Sequence, residues 1–217
     1  MSITARRLAS GPGWHVLDVI CTAGPHDRST EERHDMPSIS AVTAGTFQYR
    51  SSAGSAVMAP GALLLGNPGQ CYRCGHEHGR GDRCLSFQMT AEFVEDVAAG
   101  VKGVRRTRFA APCLPPAEAV VPIVAAAEAA REAGEAEAFE ELTVALAATV
   151  LGTFAESARA GPAPSLRDER RISRILRRIE ADPSEPVSLV DLARAEAMSP
   201  FHFLRCFRAV TGTTPYR

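Results

Sequence analysis

The chain has 217 residues, of which 45% are hydrophobic and 23% are charged, and its formal net charge at pH 7 is −1. These values are ordinary for globular proteins and exclude a disordered, collagen-like or membrane-embedded chain. No run reaches the roughly 18 uncharged apolar residues that a membrane helix needs. No apolar signal core follows residues 1–8. We therefore expect a cytoplasmic protein with no membrane partner.

The near-neutral net charge conceals opposite charges along the chain. Residues 117–158 contain one arginine and eight acidic residues, whereas residues 159–217 contain 11 arginines and seven acidic residues. A basic C-terminal segment indicates a polyanionic partner, although a solvated helix surface would have the same charge. The two ends of the chain are expected to have different roles.

Residues 1–89 have a β-rich pattern. The predicted strands lie at residues 14–21, 38–43, 46–50, 62–65 and 84–89. Glycine and proline separate these runs at intervals of about ten residues, which is typical of a β-sandwich or small barrel. Because helices are predicted after these strands, the fold class is α+β.

From Thr90 onwards the spacing of apolar residues becomes helical. Thr90 is a candidate N-cap, and two Ala-rich amphipathic helices are predicted at 117–133 and 135–158, with Gly134 between them. Such a helical hairpin can pack on the β-domain or pair with a second copy of the chain. The sequence leaves both arrangements open.

Residues 159–167 have the Gly/Pro composition of a linker, and three short helices are predicted beyond it. The first spans 168–180, the second follows the N-cap Ser188, and the third has Ser199 as N-cap with Pro200 at its first helical position. The three-residue connection between the last two helices has the dimensions of a helix-turn-helix.

The outer face of the third helix is expected to contact double-stranded DNA. Its inner residues Phe203, Phe207 and Val210 would pack on the second helix. That leaves five side chains exposed: Phe201, His202, Leu204, Arg205 and Arg208. Arginine can bind guanine with two hydrogen bonds, and arginine and histidine both reach phosphates, so this face suits the major groove. The alternative is an amphipathic hairpin with an arginine-rich outer face.

This segment resembles the first helix-turn-helix of the AraC/XylS transcriptional regulators. The resemblance is carried by Leu189-x-x-Leu-Ala and by Met198-Ser-Pro-Phe-His-Phe-x-Arg-x-Phe-x-x-x-x-Gly-x-x-Pro-Tyr216. It implies that Phe201, Leu204 and Arg205 face the bases of operator DNA, with His202 and Arg208 nearby.

Two departures from the family pattern bear on these expectations. The family module has two helix pairs, whereas this sequence ends at Arg217, so the second helix-turn-helix is expected to be missing and operator binding to be weak. Ala197 occupies a turn position where many members carry glycine. A positive φ at Ala197 would cost ~1–2 kcal/mol.

The β-rich part resembles the cupin-like barrel that serves as effector domain in these regulators. The residues that carry this resemblance are Ala59-Pro-Gly-Ala-Leu-Leu-Leu65 and Pro68-Gly-Gln-Cys71. It implies a sensor domain over 1–116 in which a small ligand can bind, a dimerisation hairpin over 117–158 that makes a homodimer, and a truncated DNA-binding domain over 168–217.

Five potential metal ligands lie between residues 71 and 84, in the pattern C-x2-C-x-H-x-H-x5-C: Cys71, Cys74, His76, His78 and Cys84. Thiolate and imidazole suit tetrahedral Zn²⁺, for which four of the five are enough, and the glycines between them allow the loop to close. We expect the three cysteines and one histidine to bind the ion, with His78 favoured over His76 because its loop is longer. Cys21 and Cys113 are interpreted as core or incidental thiols, and Cys206 as a packing residue.

Three interpretations of this Cys/His cluster remain open. The first is a structural or sensory metal site, with zinc as the first choice. The second is a redox or electrophile sensor, in which Arg73, Arg80, Arg83 and the histidines activate the thiolates. The third is a loop of buried thiols and polar histidines without a ligand.

The sequence does not predict an enzyme. His76-x-His78 resembles the start of the metal motif of cupin dioxygenases, but His202 is the only histidine after Cys84. We predict a DNA-binding transcriptional regulator that senses a metal ion or a thiol-reactive or redox signal. The alternatives are a regulator that senses a small organic ligand and has a purely structural zinc site, and a cupin-type metal-dependent oxygenase.

Overall fold

The computed structural model of the chain describes residues 3–76, 80–156, 165–182, 188–211 and 213–215. The strands are β1 (Ile3–Gly11), β2 (Trp14–Cys21), β3 (Glu31–Arg33), β4 (Ser38–Gly45), β5 (Phe47–Ser51), β6 (Gly54–Met58), β7 (Leu63–Gly66), β8 (Cys71–Gly75), β9 (Asp82–Met89) and β10 (Cys113–Leu114). The helices are α1 (Ala91–Ala99), α2 (Val121–Ala133), α3 (Ala138–Glu156), α4 (Leu166–Ala181), α5 (Leu189–Ala195) and α6 (Pro200–Thr211).

The strands form two antiparallel sheets that face each other. The larger sheet has the order β1-β2-β9-β4-β7-β10 and the smaller one the order β3-β8-β5-β6. The five predicted strands correspond to β2, β4, β5, β7 and β9, and the predicted α+β class and β-sandwich are confirmed. The strands that were not predicted are mostly short or polar, so their hydrophobic pattern is weak.

Period-2 alternation gives the larger sheet two different faces. On β9, Leu85, Phe87 and Met89 point to the outer face, where they join a core with residues of α1, α2 and α3. The opposite face, with Val42, Leu64 and Cys84, closes a second core against the smaller sheet: Phe47, Tyr49, Ala56, Met58 and Ala62. Within the described ranges, strands and the loops between them line the space between the two sheets.

The α2–α3 hairpin packs on the β-domain. Gly134 ends α2 with a left-handed conformation (φ 74°), which matches the predicted break between the helices. Apolar residues of both helices, including Ala127, Phe139 and Leu146, belong to the core on the outer face of the larger sheet. Of the two arrangements that the sequence left open, the packing on the β-domain is present, which leaves the exposed side chains of Val121 and Val144 on the hairpin surface.

The three C-terminal helices have a small core of their own: Ile172, Ile175, Leu192, Ala193, Met198, Phe203, Cys206 and Phe207. The predicted packing of the inner residues of α6 on α5 is present. Ser188 caps α5, since its side chain accepts a hydrogen bond from the Asp191 N–H.

Helix α4 contacts the outer face of the smaller sheet. The Thr46 hydroxyl lies 2.8 Å from both carboxylate oxygens of Glu180, and the Ser55 hydroxyl lies 3.4 Å from Glu169 Oε2. The side chain of Glu169 is buried at this contact. The C-terminal helices therefore rest on the sheet opposite to the one covered by α1–α3.

Among the helices of the described ranges, none combines the length and the apolar composition that crossing a bilayer requires.

The turn between α5 and α6 contains backbone strain. Ala197 has a φ of 50°, and within the described residues it is the one non-glycine with a positive φ. It directly follows the C-cap of α5, where glycine is usual. Ala197 therefore has the positive φ for which a cost of ~1–2 kcal/mol is expected.

We expect Ala197→Gly to stabilise the C-terminal helices by about 1 kcal/mol. The substitution removes the steric cost of the left-handed conformation, and this gain exceeds the loss caused by the greater conformational entropy of glycine in the unfolded chain. The measurement is the protection of α6 amides in hydrogen exchange. Ala209→Gly, at an exposed helical position, should destabilise α6 by about 1 kcal/mol. Equal or lower protection in Ala197→Gly would contradict the assigned strain.

Candidate metal site in the barrel

A cavity of about 240 Å³ lies between the two sheets. The strand β9 supplies one polar wall, because its alternate residues Asp82, Cys84, Ser86 and Gln88 all line the cavity. Apolar side chains of β1 and β2 line another part, among them Ile3, Leu17 and Val19. The cavity is smaller than the ~300–1,000 Å³ of common ligand pockets, so it suits an ion or a very small molecule.

Three donor side chains meet at one end of this cavity. Ligand atoms of Cys21, His76 and Asp82 all lie within 4.8 Å of one another. His76 Nε2 lies 2.6 Å from Asp82 Oδ1, and the Cys84 Sγ lies 3.7 Å from Asp82 Oδ2. We call the set Cys21, His76, Asp82 and Cys84 the barrel cluster.

Strand register brings the barrel cluster together. In the antiparallel β2–β9 pair, Cys21 lies directly opposite Asp82. Directly opposed side chains in such pairs have Cβ atoms ~4.5–5.5 Å apart, so the thiol and the carboxylate are neighbours. His76 follows the end of β8 and reaches Asp82 from the smaller sheet.

Gly81 makes this close approach possible. It has a φ of 67°, its N–H donates to the Ala23 carbonyl at 2.8 Å, and a Cβ atom at this position would lie 2.6 Å from the Cys21 carbonyl oxygen. Any other residue would push the start of β9 away from the end of β2. The sequence-based expectation that glycines let this loop close is consistent with this position.

The structure divides the predicted ligands. Cys74 and Cys84 line the cavity, and His76 belongs to the barrel cluster. Cys71 is exposed on β8 and lies three residues from Cys74, so their side chains point to opposite faces of the strand. The expectation that Cys71, Cys74 and Cys84 share one ion is therefore wrong for Cys71, whose side chain points away from the cavity. His78 lies outside the described residues.

Sequence reasoning missed two members of the barrel cluster. Cys21 was interpreted as an incidental thiol, and Asp82 was not considered as a ligand. Both follow from the β2–β9 register, a long-range pairing that joins residues 61 positions apart. The available signal was the alternation of polar residues Asp82, Cys84, Ser86 and Gln88 along one strand.

The electrostatics of the cavity favour neutral thiols when no cation is bound. Burial raises the pKa of Cys74, with smaller contributions from Asp82 and Glu32, and burial followed by Asp82 also raises the pKa of Cys84. Burial likewise raises the pKa of Cys21.

The arginines that were expected to activate these thiols have other partners. Arg83 points to the outer face of the larger sheet, where its guanidinium lies 2.7 Å from Asp18. Arg73 lies 3.3 Å from Glu31, and Arg80 is exposed. The expectation of arginine-activated thiolates is therefore wrong for Arg73 and Arg83. The negative neighbour Asp82 and burial have the opposite effect on thiol acidity.

The donor set fits a borderline-soft cation. Thiolate, imidazole and carboxylate are the three ligand types that Zn²⁺ uses, in a tetrahedral arrangement that needs four donors. Cys21, His76 and Asp82 bring one thiol, one imidazole and one carboxylate within 4.8 Å of one another. Cys84, whose Sγ lies 3.7 Å from Asp82 Oδ2, adds a second thiol beside the carboxylate. Cys74 lines the same cavity and could serve as an alternative sulfur ligand.

A second polar group lies elsewhere in the barrel. His34 Nε2 is 2.9 Å from the Tyr49 hydroxyl, His34 Nδ1 is 3.2 Å from the Ser38 hydroxyl, and its ring stacks on Tyr72 at 4.2 Å. Burial lowers the pKa of His34 to about 4, so the ring is neutral at pH 7. Tyr72 in turn donates to Glu32 at 2.7 Å. These side chains give the cavity hydrogen-bonding groups away from the barrel cluster.

The predicted DNA-facing residues of α6 lie at the surface to different extents. The side chain of Phe201 is 81% exposed, and Arg205 and Arg208 are also exposed. His202 and Leu204 are half-buried. Among the large apolar side chains of the described residues, Phe201 is the most exposed.

No protein-family model matches the chain. No curated protein sequence matches it either.

Several solved structures are similar to part of this chain. A putative mannose-6-phosphate isomerase from Ralstonia eutropha is 14% identical, with a TM-score of 0.36 over 42% of this chain and 86% of its own. The Cnp3 cupin domain of Schizosaccharomyces pombe is 13% identical, with a TM-score of 0.38 over 45% of this chain and 68% of its own. A cupin-like protein of Thermotoga maritima is 16% identical, with a TM-score of 0.35 over 42% and 70%. The assignment of two facing sheets is made from the strand pairing in this chain and not from these similarities.

Differential alkylation tests the placement of the thiols. In metal-free protein at pH 7.5 we expect Cys71 to react at least ~10-fold faster than Cys74 and Cys84, because the thiolate is the nucleophile and burial both shields the inner thiols and raises their pKa. Peptide mass spectrometry after timed iodoacetamide quenching gives the rates. Denatured protein, in which all three should react alike, is the control. Equal rates in the folded protein would rule out the inward orientation of Cys74 and Cys84.

Proposed function

We propose that this protein is a DNA-binding transcriptional regulator of the AraC/XylS type, located in the cytoplasm, in which a cupin-like barrel senses a metal ion or a thiol-reactive signal. The observation that carries the proposal is the outer face of α6, where Phe201, Arg205 and Arg208 are exposed next to a three-residue turn. A DNA-binding protein gives these exposed side chains a role.

The chemistry of this face suits base recognition. Arg205 can donate two hydrogen bonds to a guanine edge, Phe201 can contact a thymine methyl group, and Arg208 can reach a phosphate. The apolar inner face of α6 holds these side chains in a fixed direction. In this proposal the sensor domain spans 1–116, and α4–α6 form the DNA-binding unit within 168–217.

A homodimer would present two such units to one operator. We assign the contact to the hairpin within 117–158, where Val121 and Val144 are 53% and 41% exposed. Exposed β-branched residues on a helix face that is acidic elsewhere can pair with a second copy. Two-fold symmetry of the dimer would then match a palindromic DNA site.

The effector site is the barrel cluster. Cys21, His76, Asp82 and Cys84 would hold Zn²⁺, which supplies a divalent charge in a cavity that otherwise favours neutral thiols. A thiol-reactive compound would act on the same sulfur atoms, so the two signals share one site. Without the ion, the 2.6 Å contact with Asp82 holds His76 Nε2 at this end of the cavity.

A short path joins the barrel cluster to α4. The His76 ring stacks on Phe47, with ring centroids 5.8 Å apart. The residue before Phe47 is Thr46, which binds Glu180 near the end of α4. Reorientation of His76 would therefore shift the start of β5 and the contact of α4 with the sheet. Such a shift changes DNA affinity only if the effector binds the two arrangements differently.

A second candidate function is sensing of a small organic ligand in the same cavity, with a purely structural zinc ion. The observation that favours it is the group formed by His34, Ser38 and Tyr72, which offers hydrogen bonds away from the barrel cluster. A structural ion would bind without changing DNA affinity, so the experiment below separates the two functions. The oxygenase alternative predicts oxygen-dependent turnover of the iron-loaded protein.

The test measures metal-dependent DNA binding. Duplexes are selected with this protein from a random library, and the Kd of the best one is measured by fluorescence anisotropy with EDTA and with added Zn²⁺. We expect the Kd to change at least ~5-fold, a typical allosteric coupling, because zinc reorients His76. His76→Gln should abolish the change, and Cys71→Ser, which alters a thiol on the outer face, should retain it.

Two outcomes would contradict this account. An identical zinc response in His76→Gln would exclude the barrel cluster as the sensor. An Arg205→Ala variant with unchanged sequence preference, instead of the ~1–3 kcal/mol loss expected for a base contact, would exclude α6 as the reader.

The contact between α4 and the sheet is expected to weaken as pH rises. Burial raises the pKa of Glu169 from an ordinary 4.5 to about 7, and Ser55 opposes this shift as a hydrogen-bond donor. Across the contact, Cys113 interacts with Glu169 and is neutral at these pH values, since its pKa is raised to about 11. The free energy that holds α4 on the sheet is therefore most favourable below about pH 4.5, where the Glu169 carboxyl is protonated. It becomes less favourable by roughly 3 kcal/mol as the pH rises through 7 and this carboxyl ionises.

Hydrogen exchange of α4 amides, expressed as protection factors, measures this effect between pH 5 and pH 8. We expect protection in the native chain to fall over this range and protection in Glu169→Gln to stay constant. Glu180→Gln, which alters the other carboxylate at the contact, should keep the pH dependence. Constant protection in the native chain would show that Glu169 is not buried against the sheet.

A further inference from the structure

The C-terminal helices contain a second group of mixed donors, away from the barrel. Ligand atoms of Asp168, His202 and Cys206 lie within 4.8 Å of one another. His202 Nε2 is 3.4 Å from Asp168 Oδ1, and the Cys206 Sγ is 3.7 Å from His202 Nε2. Asp168 belongs to α4, whereas His202 and Cys206 belong to α6. The group therefore bridges two helices.

Local structure holds each of the three side chains. His202 and Cys206 are four residues apart on α6, so they share one face of the helix. Asp168 lies in the first turn of α4, where Ser165 donates to its Oδ2 at 2.7 Å, which leaves Oδ1 directed at His202. The side chain of Cys206 is buried, with 4% exposure, whereas Asp168 and His202 are half-buried and accessible to an incoming ion.

We propose that Asp168, His202 and Cys206 form a Zn²⁺ site that joins α4 to α6. The carboxylate, the imidazole and the thiolate supply three of the four tetrahedral ligands, and water takes the fourth position. On binding, Zn–O, Zn–N and Zn–S bonds form and the thiol proton of Cys206 leaves to solvent. The site does not depend on the barrel cluster or on DNA binding.

The charges around the group limit its affinity. Arg171 lies 3.6 Å from Asp168 Oδ1, and Arg205 lies 3.1 Å from His202 Nδ1. Both guanidinium groups repel a divalent cation. Because one ligand is water and two arginines are close, the ion exchanges readily with solution, unlike the ion of a closed four-residue site.

A cross-link at this position would have a clear structural effect. The unit formed by α4, α5 and α6 has a core of eight buried side chains. Small cores of this kind gain stability from a metal ion that binds only the folded state.

The experiment uses the chain of residues 1–217, first freed of metal with EDTA. Hydrogen exchange with mass spectrometry is then measured with and without added Zn²⁺. We expect zinc to protect peptides from both α4 and α6. In His202→Gln and Cys206→Ser the zinc concentration for half-protection should rise more than ~10-fold. Loss of even an outer-shell partner of a metal ligand lowers metal affinity about 10- to 100-fold, and these two residues are proposed as direct ligands. Cys84→Ser should leave this protection unchanged and alter only barrel peptides.

The separate peptides distinguish this site from the barrel cluster. Cys206 is a buried core residue, whereas His202 is half-buried, so His202→Gln tests the site without truncating a core side chain. Zinc-dependent protection of α4 and α6 that persists in His202→Gln would overturn the proposal. Absence of zinc-dependent protection in the native chain would overturn it as well and would leave His202 and Asp168 as an ion pair.

Discussion

The pairing of β2 with β9 determines which side chains enter the barrel. It sets Cys21 opposite Asp82 and directs the alternate polar residues of β9 into the cavity. The residues between them, Leu85, Phe87 and Met89, face the helices on the outer side. A shift of one residue would exchange the two sets, which would bury polar groups under the helices and expose apolar ones to the cavity. The packing of α1–α3 therefore fixes the polar lining of the barrel.

Local patterns in the sequence were sufficient for much of the fold. A β-branched run predicted β2, the alternation of small polar and apolar residues predicted β4, and the Ser-Pro pair predicted the start of α6. These signals depend on neighbouring residues only. Spacing alone was misleading for Cys71 and Cys74, since a C-x2-C pair on a strand points to opposite faces. Cys21 and Asp82 required knowledge of strand register. Sequence proximity thus identified the region of the site but not its ligands.

The helices occupy both outer faces of the sandwich, and this arrangement gives the proposed regulator a mechanical basis. The α2–α3 hairpin is part of the large apolar core, so it moves with the larger sheet. By contrast, α4 contacts the smaller sheet through a few polar groups, Thr46 and Ser55 among them. Contacts of this kind open at a lower free energy than a packed core. A change inside the barrel would therefore act first on α4.

X-ray absorption at the zinc edge tests the barrel cluster most directly. The protein is loaded with one equivalent of Zn²⁺, and His202→Gln is used as the background so that the barrel site alone is occupied. The account predicts a mixed first shell, with at least one sulfur at about 2.3 Å and nitrogen or oxygen at about 2.0–2.2 Å, unchanged when Cys71→Ser is added. A shell without sulfur, or one that loses its sulfur in Cys71→Ser, would contradict it.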